Sequence, residues 1–266
     1  MTATTTAPPA AAGAVDPGAA PPRPSLFRLT AVELRKMTDT RSGRMLLIVI
    51  ALLTPALMPV IIFTVKAENQ TLREFFIAAQ AAPSILLPVL GILSVTSEWS
   101  QRTALTTFAL VPHRGRVVTA KLVSGVLLAA VFLALGLASA VVARAVGGAA
   151  GRSEGVWTLP PSLVAQSLLM LAAMVLMGAA FGMLLVSPAL SIVLYFVLPT
   201  VWSTLGELVK RLREPAGWLD TARTFEPLHD TGVTAGEWAR IGVSSAVWVL
   251  LPLVVGLVRL ARREVK

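Results

Sequence analysis

Histidine occurs only at His113 and His229, and cysteine not at all, in this chain of 266 residues. Two imidazoles so far apart make no zinc site, which needs three or four ligands. Without cysteine there is no thiolate chemistry and no disulfide. No Gly-x-x-x-x-Gly-Lys-Ser/Thr loop is present to cradle nucleotide phosphates, so the chain itself has no means of hydrolysing ATP. Neither His-Glu-x-x-His nor Gly-x-Ser-x-Gly occurs. Hydroxyls such as Ser124 and Ser191 have no general base in view, and an enzyme is not expected.

What must hold the remaining polar residues is overwhelmingly apolar. Hydrophobic residues make up 55% of the chain and charged ones only 14%, where a soluble domain has about a quarter. A bilayer core of about 30 Å needs roughly 20 apolar residues per helix. Six stretches qualify: Met45–Val65, Phe75–Ser97, Leu122–Ala143, Ser162–Val186, Pro188–Gly206 and Ile241–Val258. No Asp, Glu, Lys or Arg falls inside any of them. Proton-coupled and voltage-sensing mechanisms therefore lack their usual carriers. Pro55, Pro59, Pro83, Pro88, Pro199 and Pro252 interrupt the spans, which membrane helices tolerate. The fourth and fifth meet at Ser187-Pro188 and require a very tight hairpin. The expected fold is all-α, a polytopic membrane protein with about six transmembrane helices occupying residues 25–266.

Residues 1–24 are almost entirely Ala, Thr, Pro and Gly and read as a disordered tail, with neither the basic start nor the Leu-like core of a signal peptide. Ser25 can cap a following helix. Leu26, Phe27, Ala31, Leu34 and Met37 then fall on one side, with Arg28, Arg35, Lys36 and Asp39 opposite. Such a helix suits the membrane surface; a short solvated helix leading into the first span is the alternative. The net charge of +9 is scattered in short clusters between spans, as in membrane proteins rather than nucleic-acid binders. With the N-terminus inside, fourteen Lys and Arg lie on the cytoplasmic side against nine outside. That favours an N-in, C-in arrangement, although Lys210, Arg211 and Arg213 run against it.

If such a protein moves anything uphill, the energy comes from a partner. The connector from Glu98 to Lys121 is the expected contact. Glu98–Leu110 reads as a short helix ended by Pro112, Arg114-Gly115-Arg116 as a turn, and the chain beyond as a second helix entering span three. The alternative is a solvated connector whose charges only fix topology. Met170, Met174 and Met177 form a stripe in span four expected to pack or face lipid. Gly178 and Gly182 in the same span would let a neighbouring helix approach closely. Trp157, Trp218 and Trp238 flank spans as interfacial anchors would. Segment 215–228 reads as a short surface helix or a partly ordered loop.

Glu33-Leu34-Arg35-Lys36 through Thr40-Arg41-Ser42, just before a first span, resembles the leading helix of permease subunits of ATP-binding-cassette exporters, type-2 family. Glu98-Trp99-Ser100-Gln101-Arg102-Thr103, then Pro112-His113-Arg114-Gly115-Arg116 and Lys121-Leu122, is similar to that family's cytoplasmic connector. Arg102 stands where the family usually has Gly. The tight turn between spans four and five and the Arg262-Arg263-Glu264 ending are similar as well, and the likeness covers roughly residues 26–266. The resemblance implies a multi-pass protein of a bacterial plasma membrane, dimeric as a homodimer or heterodimer, docked on two ATPase subunits that bind ATP and Mg, with no cofactor on this chain. It implies export of a hydrophobic or amphipathic substrate such as a drug or antibiotic, lipid or peptide. Carried over, Glu33, Arg35 and Lys36 would belong to the surface helix, and Glu98, Arg102, Thr103, Arg114 and Arg116 to the coupling region, all as transmission residues. A non-transporting membrane anchor or assembly factor, and a stand-alone channel, are the rival readings.

Overall fold

A computed structural model describes residues 24–100, 114–153 and 155–262. Among these every regular element is helical. Helix α1 (Leu26–Asp39) begins as expected, with the Ser25 hydroxyl accepting from Arg28 N at 3.2 Å. Thr40, with an extended backbone, ends α1 and caps α2 (Arg41–Thr64), the first span. The second span is split into α3 (Leu72–Ala79) and α4 (Ala81–Ser100) at Gln80. Pro83 explains the break, because it has no N–H to give the Ala79 carbonyl one turn back.

Span three is α5 (Arg114–Ala149), 36 residues long and so about 54 Å from end to end. It overshoots the bilayer. Arg114, Gly115 and Arg116 are its first turn, not the separate turn that the sequence suggested. α6 (Pro161–Leu185) and α7 (Pro188–Leu208) follow, joined by the predicted tight hairpin. The join is so short that Val186 takes a left-handed backbone, φ 57°, an unfavourable state for a β-branched residue.

Two further short helices, α8 (Arg213–Leu219) and α9 (Thr221–Phe225), stand where segment 215–228 was expected to be a surface helix or loop. They are docked, not peripheral. Asp220 between them is buried, accepting from Ser203 Oγ at 2.8 Å and Ala222 N at 3.0 Å. Phe225 and Leu228 pack on Met170 of α6. The last span runs through α10 (Ala235–Ser245), a π-helical turn at Ala246–Leu250, and α11 (Leu251–Arg262). Pro252 cannot donate to the Trp248 carbonyl, which accounts for the widened turn before it. Trp248 instead donates its indole N–H to Leu219 O at 2.6 Å, tying α8 to this span.

Six helical segments are long and apolar enough to cross a membrane, so the chain is a multi-pass membrane protein. An even number of crossings puts α1 and the end of α11 on one side, which we call the α1 end. The second span (α3 and α4) and α6 form the hub, each more than half buried in its most apolar stretch (56%), against 17% for α2 and α7. Their contact is made by glycines: a Cβ at Gly178 would run into the Pro88 carbonyl, and one at Gly91 into that of Val175. The close approach expected of Gly178 and Gly182 therefore occurs within the chain. Met170 and Met177 of the methionine stripe are buried and pack. At the far end, Arg144 is buried in α5 and donates to Ser153 O (3.0 Å) and Gly155 O (3.1 Å) while lying 4.9 Å from the Trp157 ring centroid.

Candidate functional site

At the α1 end three helices meet through charges. The buried face of α1 is Thr30, Glu33 and Met37, one carboxylate among residues spaced three and four apart. Leu26 and Phe27, on the apolar side that the sequence assigned to the membrane surface, are exposed, Phe27 by 85%, whereas Met37 of that side is buried within the protein.

Glu33 Oε1 accepts from Lys36 Nζ at 2.7 Å and Glu33 Oε2 from Lys121 Nζ at 2.6 Å. Glu98 Oε1, near the end of α4, accepts from Lys36 at 2.8 Å and from Lys121 at 3.0 Å. The four groups close a ring of alternating charge, Glu33–Lys36–Glu98–Lys121. Lys121 also donates to Ser94 O at 3.0 Å, so all three of its N–H groups are used. Its side chain is 5% exposed, and those of Glu33 and Glu98 are 6% and 9%. Lys36 sits on the open edge at 39%.

Charges this deep persist only when paired and hydrogen-bonded, since removing each from water costs several kcal/mol. Here the pairing is complete around Lys121. Burial by itself lowers the pKa of Lys36, but hydrogen bonds and charge from Glu33 and Glu98 outweigh it and hold the ammonium above its ordinary 10.5. Two further contacts extend the junction. Ser124 Oγ lies 2.8 Å from Ala120 O in its own helix and 3.1 Å from Thr30 O in α1, and the Arg116 guanidinium donates from Nη2 at 2.7 Å to Pro24 O just ahead of α1.

Of the residues singled out in the sequence, Glu33, Lys36 and Glu98 come together, and Arg116 joins the same three-helix contact. Arg35 does not. It is 83% exposed at its side chain and pairs with Asp39 at 3.1 Å on the outer face of α1. Arg114 begins α5, with its side chain outside the described residues, as are Arg102 and Thr103 entirely. Lys121 was read as the end of a connector and not as a member of the site, yet it is the centre. The signal was present: Val117, Lys121 and Ser124 lie four and three apart on one face of a helix, and all are buried.

No protein-family model matches the chain, and no curated protein does. The site has to be read from its own geometry. Among the described residues the ring brings together two carboxylates and two ammonium groups, each carboxylate paired with both ammoniums. Residues 101–113 leave α4 three residues after Glu98 and rejoin α5 seven residues before Lys121, so both flanks of this segment are pinned to α1 by the same four charges.

Proposed function

We propose that the chain is the membrane-spanning permease subunit of an ATP-binding-cassette exporter of the type-2 family. In this reading the α1 end faces the cytoplasm of a bacterium and meets separate ATPase subunits that carry ATP and Mg. A second permease copy, identical or not, completes the pathway. The cargo is hydrophobic or amphipathic, of the drug, lipid or peptide kind, in keeping with spans whose apolar stretches carry no charge.

The observation that carries the reading is the ring joining α1 to both flanks of the connector. A push on residues 101–114, where Arg102, Thr103 and Arg114 are the proposed contacts, reaches Glu98 and Lys121 through the helices that carry them. Separating Lys121 from Glu33, or Glu98 from Lys36 and Lys121, would leave a buried charge without its partner at a cost of several kcal/mol. The connector, α1 and the adjoining ends of α4 and α5 therefore move together. Such a unit turns a local contact into a rigid-body tilt of spans, the usual form of an access switch. Arg35 and Arg28, exposed on the outer face of α1, are free to meet a partner.

The test is affinity purification of the tagged full chain from its own membrane in mild detergent. An ATPase with a phosphate-binding loop should co-purify in comparable amount and hydrolyse ATP. Arg116→Glu should leave insertion intact and weaken that association. Recovery of the chain with no ATPase would overturn the proposal.

A further inference from the structure

On the far half of the molecule a groove of about 370 Å³ runs between α2 and α5, lined by Pro55, Met58, Pro59 and Ile62 on one wall and by Ala138, Ser139, Val142, Ala143 and Val146 on the other. Its volume falls within the roughly 300–1,000 Å³ of small-molecule sites. The groove exists because α5 offers Ala138, Ser139 and Ala143, side chains too small to fill the space beside the two prolines. Ser139 adds no free polarity, since its hydroxyl donates to Leu135 O at 2.8 Å. From Pro55 to Ile62 the wall is about 10 Å tall, most of one leaflet's hydrocarbon depth.

Both walls end in a cation. Lys66 follows the last turn of α2 and is exposed. α5 is closed by Gly151 in a left-handed conformation, φ 67°, with Arg152 N donating to Gly147 O at 2.8 Å and Gly151 N to Gly148 O at 3.0 Å. This closure turns the chain back on itself. It delivers the Arg152 guanidinium to 4.8 Å from the ring centroid of Phe63, the residue after Ile62. Among the described residues neither cation has a carboxylate partner, and exposed Glu68 on the intervening turn pairs with neither.

We propose that this groove binds one anionic phospholipid, an acyl chain lying along it and the phosphate held by Arg152 and Lys66. The inference rests on the six-span fold alone and not on the transport reading. An apolar channel of this depth accepts any acyl chain; the cations at its mouth select the headgroup. A guanidinium held over an aromatic ring keeps its N–H donors available for a phosphate.

The test is native mass spectrometry of the full chain in mild detergent, with phosphatidylglycerol or phosphatidylcholine added at equal concentration. Wild type should retain phosphatidylglycerol with an affinity roughly thirtyfold higher, the scale expected of two interfacial cations at about 1 kcal/mol each. Arg152→Gln combined with Lys66→Gln should abolish that preference and leave phosphatidylcholine retention as it was. Val142→Trp, at an exposed rim position, should fill the groove and remove one bound lipid of either kind. Equal retention of the two lipids by wild type, or a preference surviving the double substitution, would overturn the proposal. So would efficient cross-linking between copies through Val142→Cys in native membranes, which would put a second chain in the groove.

Discussion

Removing the Lys121 ammonium would leave the buried carboxylates of Glu33 and Glu98 sharing only Lys36, on the open edge of the ring. Lys121→Met is therefore expected to cost about 3–5 kcal/mol, the range for breaking a buried pair, seen as a large fall in the thermal unfolding temperature in detergent. Adding Glu33→Gln removes one of the stranded charges and should restore more than about 1 kcal/mol. A single-substitution cost within about 1 kcal/mol would show that the ring is no more than a surface contact. Lys36 supplies a second test. Its pKa is raised in the folded protein by the carboxylates of Glu33 and Glu98, against the pull of burial, in a ring that also contains Lys121. A raised lysine binds its proton more tightly when folded, so its contribution is complete below the ordinary 10.5 and disappears as pH climbs through the native value. The stability gap between wild type and Lys36→Met should be flat through neutral pH and close only under strong alkali. A gap closing near neutrality would contradict the assignment. Glu33, Lys36 and Glu98 were singled out in the sequence. Lys121 was read only as the end of the connector before span three, because no local pattern shows that it meets carboxylates 88 and 23 positions away on two other helices.

At the scale of helices, the α4–α6 contact depends on backbone meeting backbone. Gly178→Val would drive its side chain into the Pro88 carbonyl, and helices that cannot yield pay typically 1–3 kcal/mol for such overpacking. We expect Gly178→Val to lower the unfolding temperature clearly, and Gly242→Val in α10, where a Cβ meets nothing within 4 Å, to leave it nearly unchanged. Equal effects would mean that the glycine contact does not hold the hub together. The spans themselves were legible from uncharged length. Their true extents were not, since α5 carries Arg114, Arg116, Lys121 and Arg144 inside one helix by pairing or capping each charge described. The docking of α8 and α9 was equally hidden. It turns on Asp220, Leu219 O and Trp248, residues up to 29 positions apart that no local pattern connects.

For the molecule as a whole, the ring and the groove lie at opposite ends, and the proposed division of labour follows that placement: one end receives force, the opposite leaflet meets lipid. Everything about an ATP-driven partner requires the α1 end to face the cytoplasm. The absence of cysteine makes the decisive measurement clean. A single Arg28→Cys, exposed on α1, should react with a membrane-impermeant maleimide in inverted vesicles and stay unlabelled in intact cells. Labelling of Arg28→Cys from outside intact cells would contradict the proposed coupling outright, because no cytoplasmic ATPase could then reach the ring.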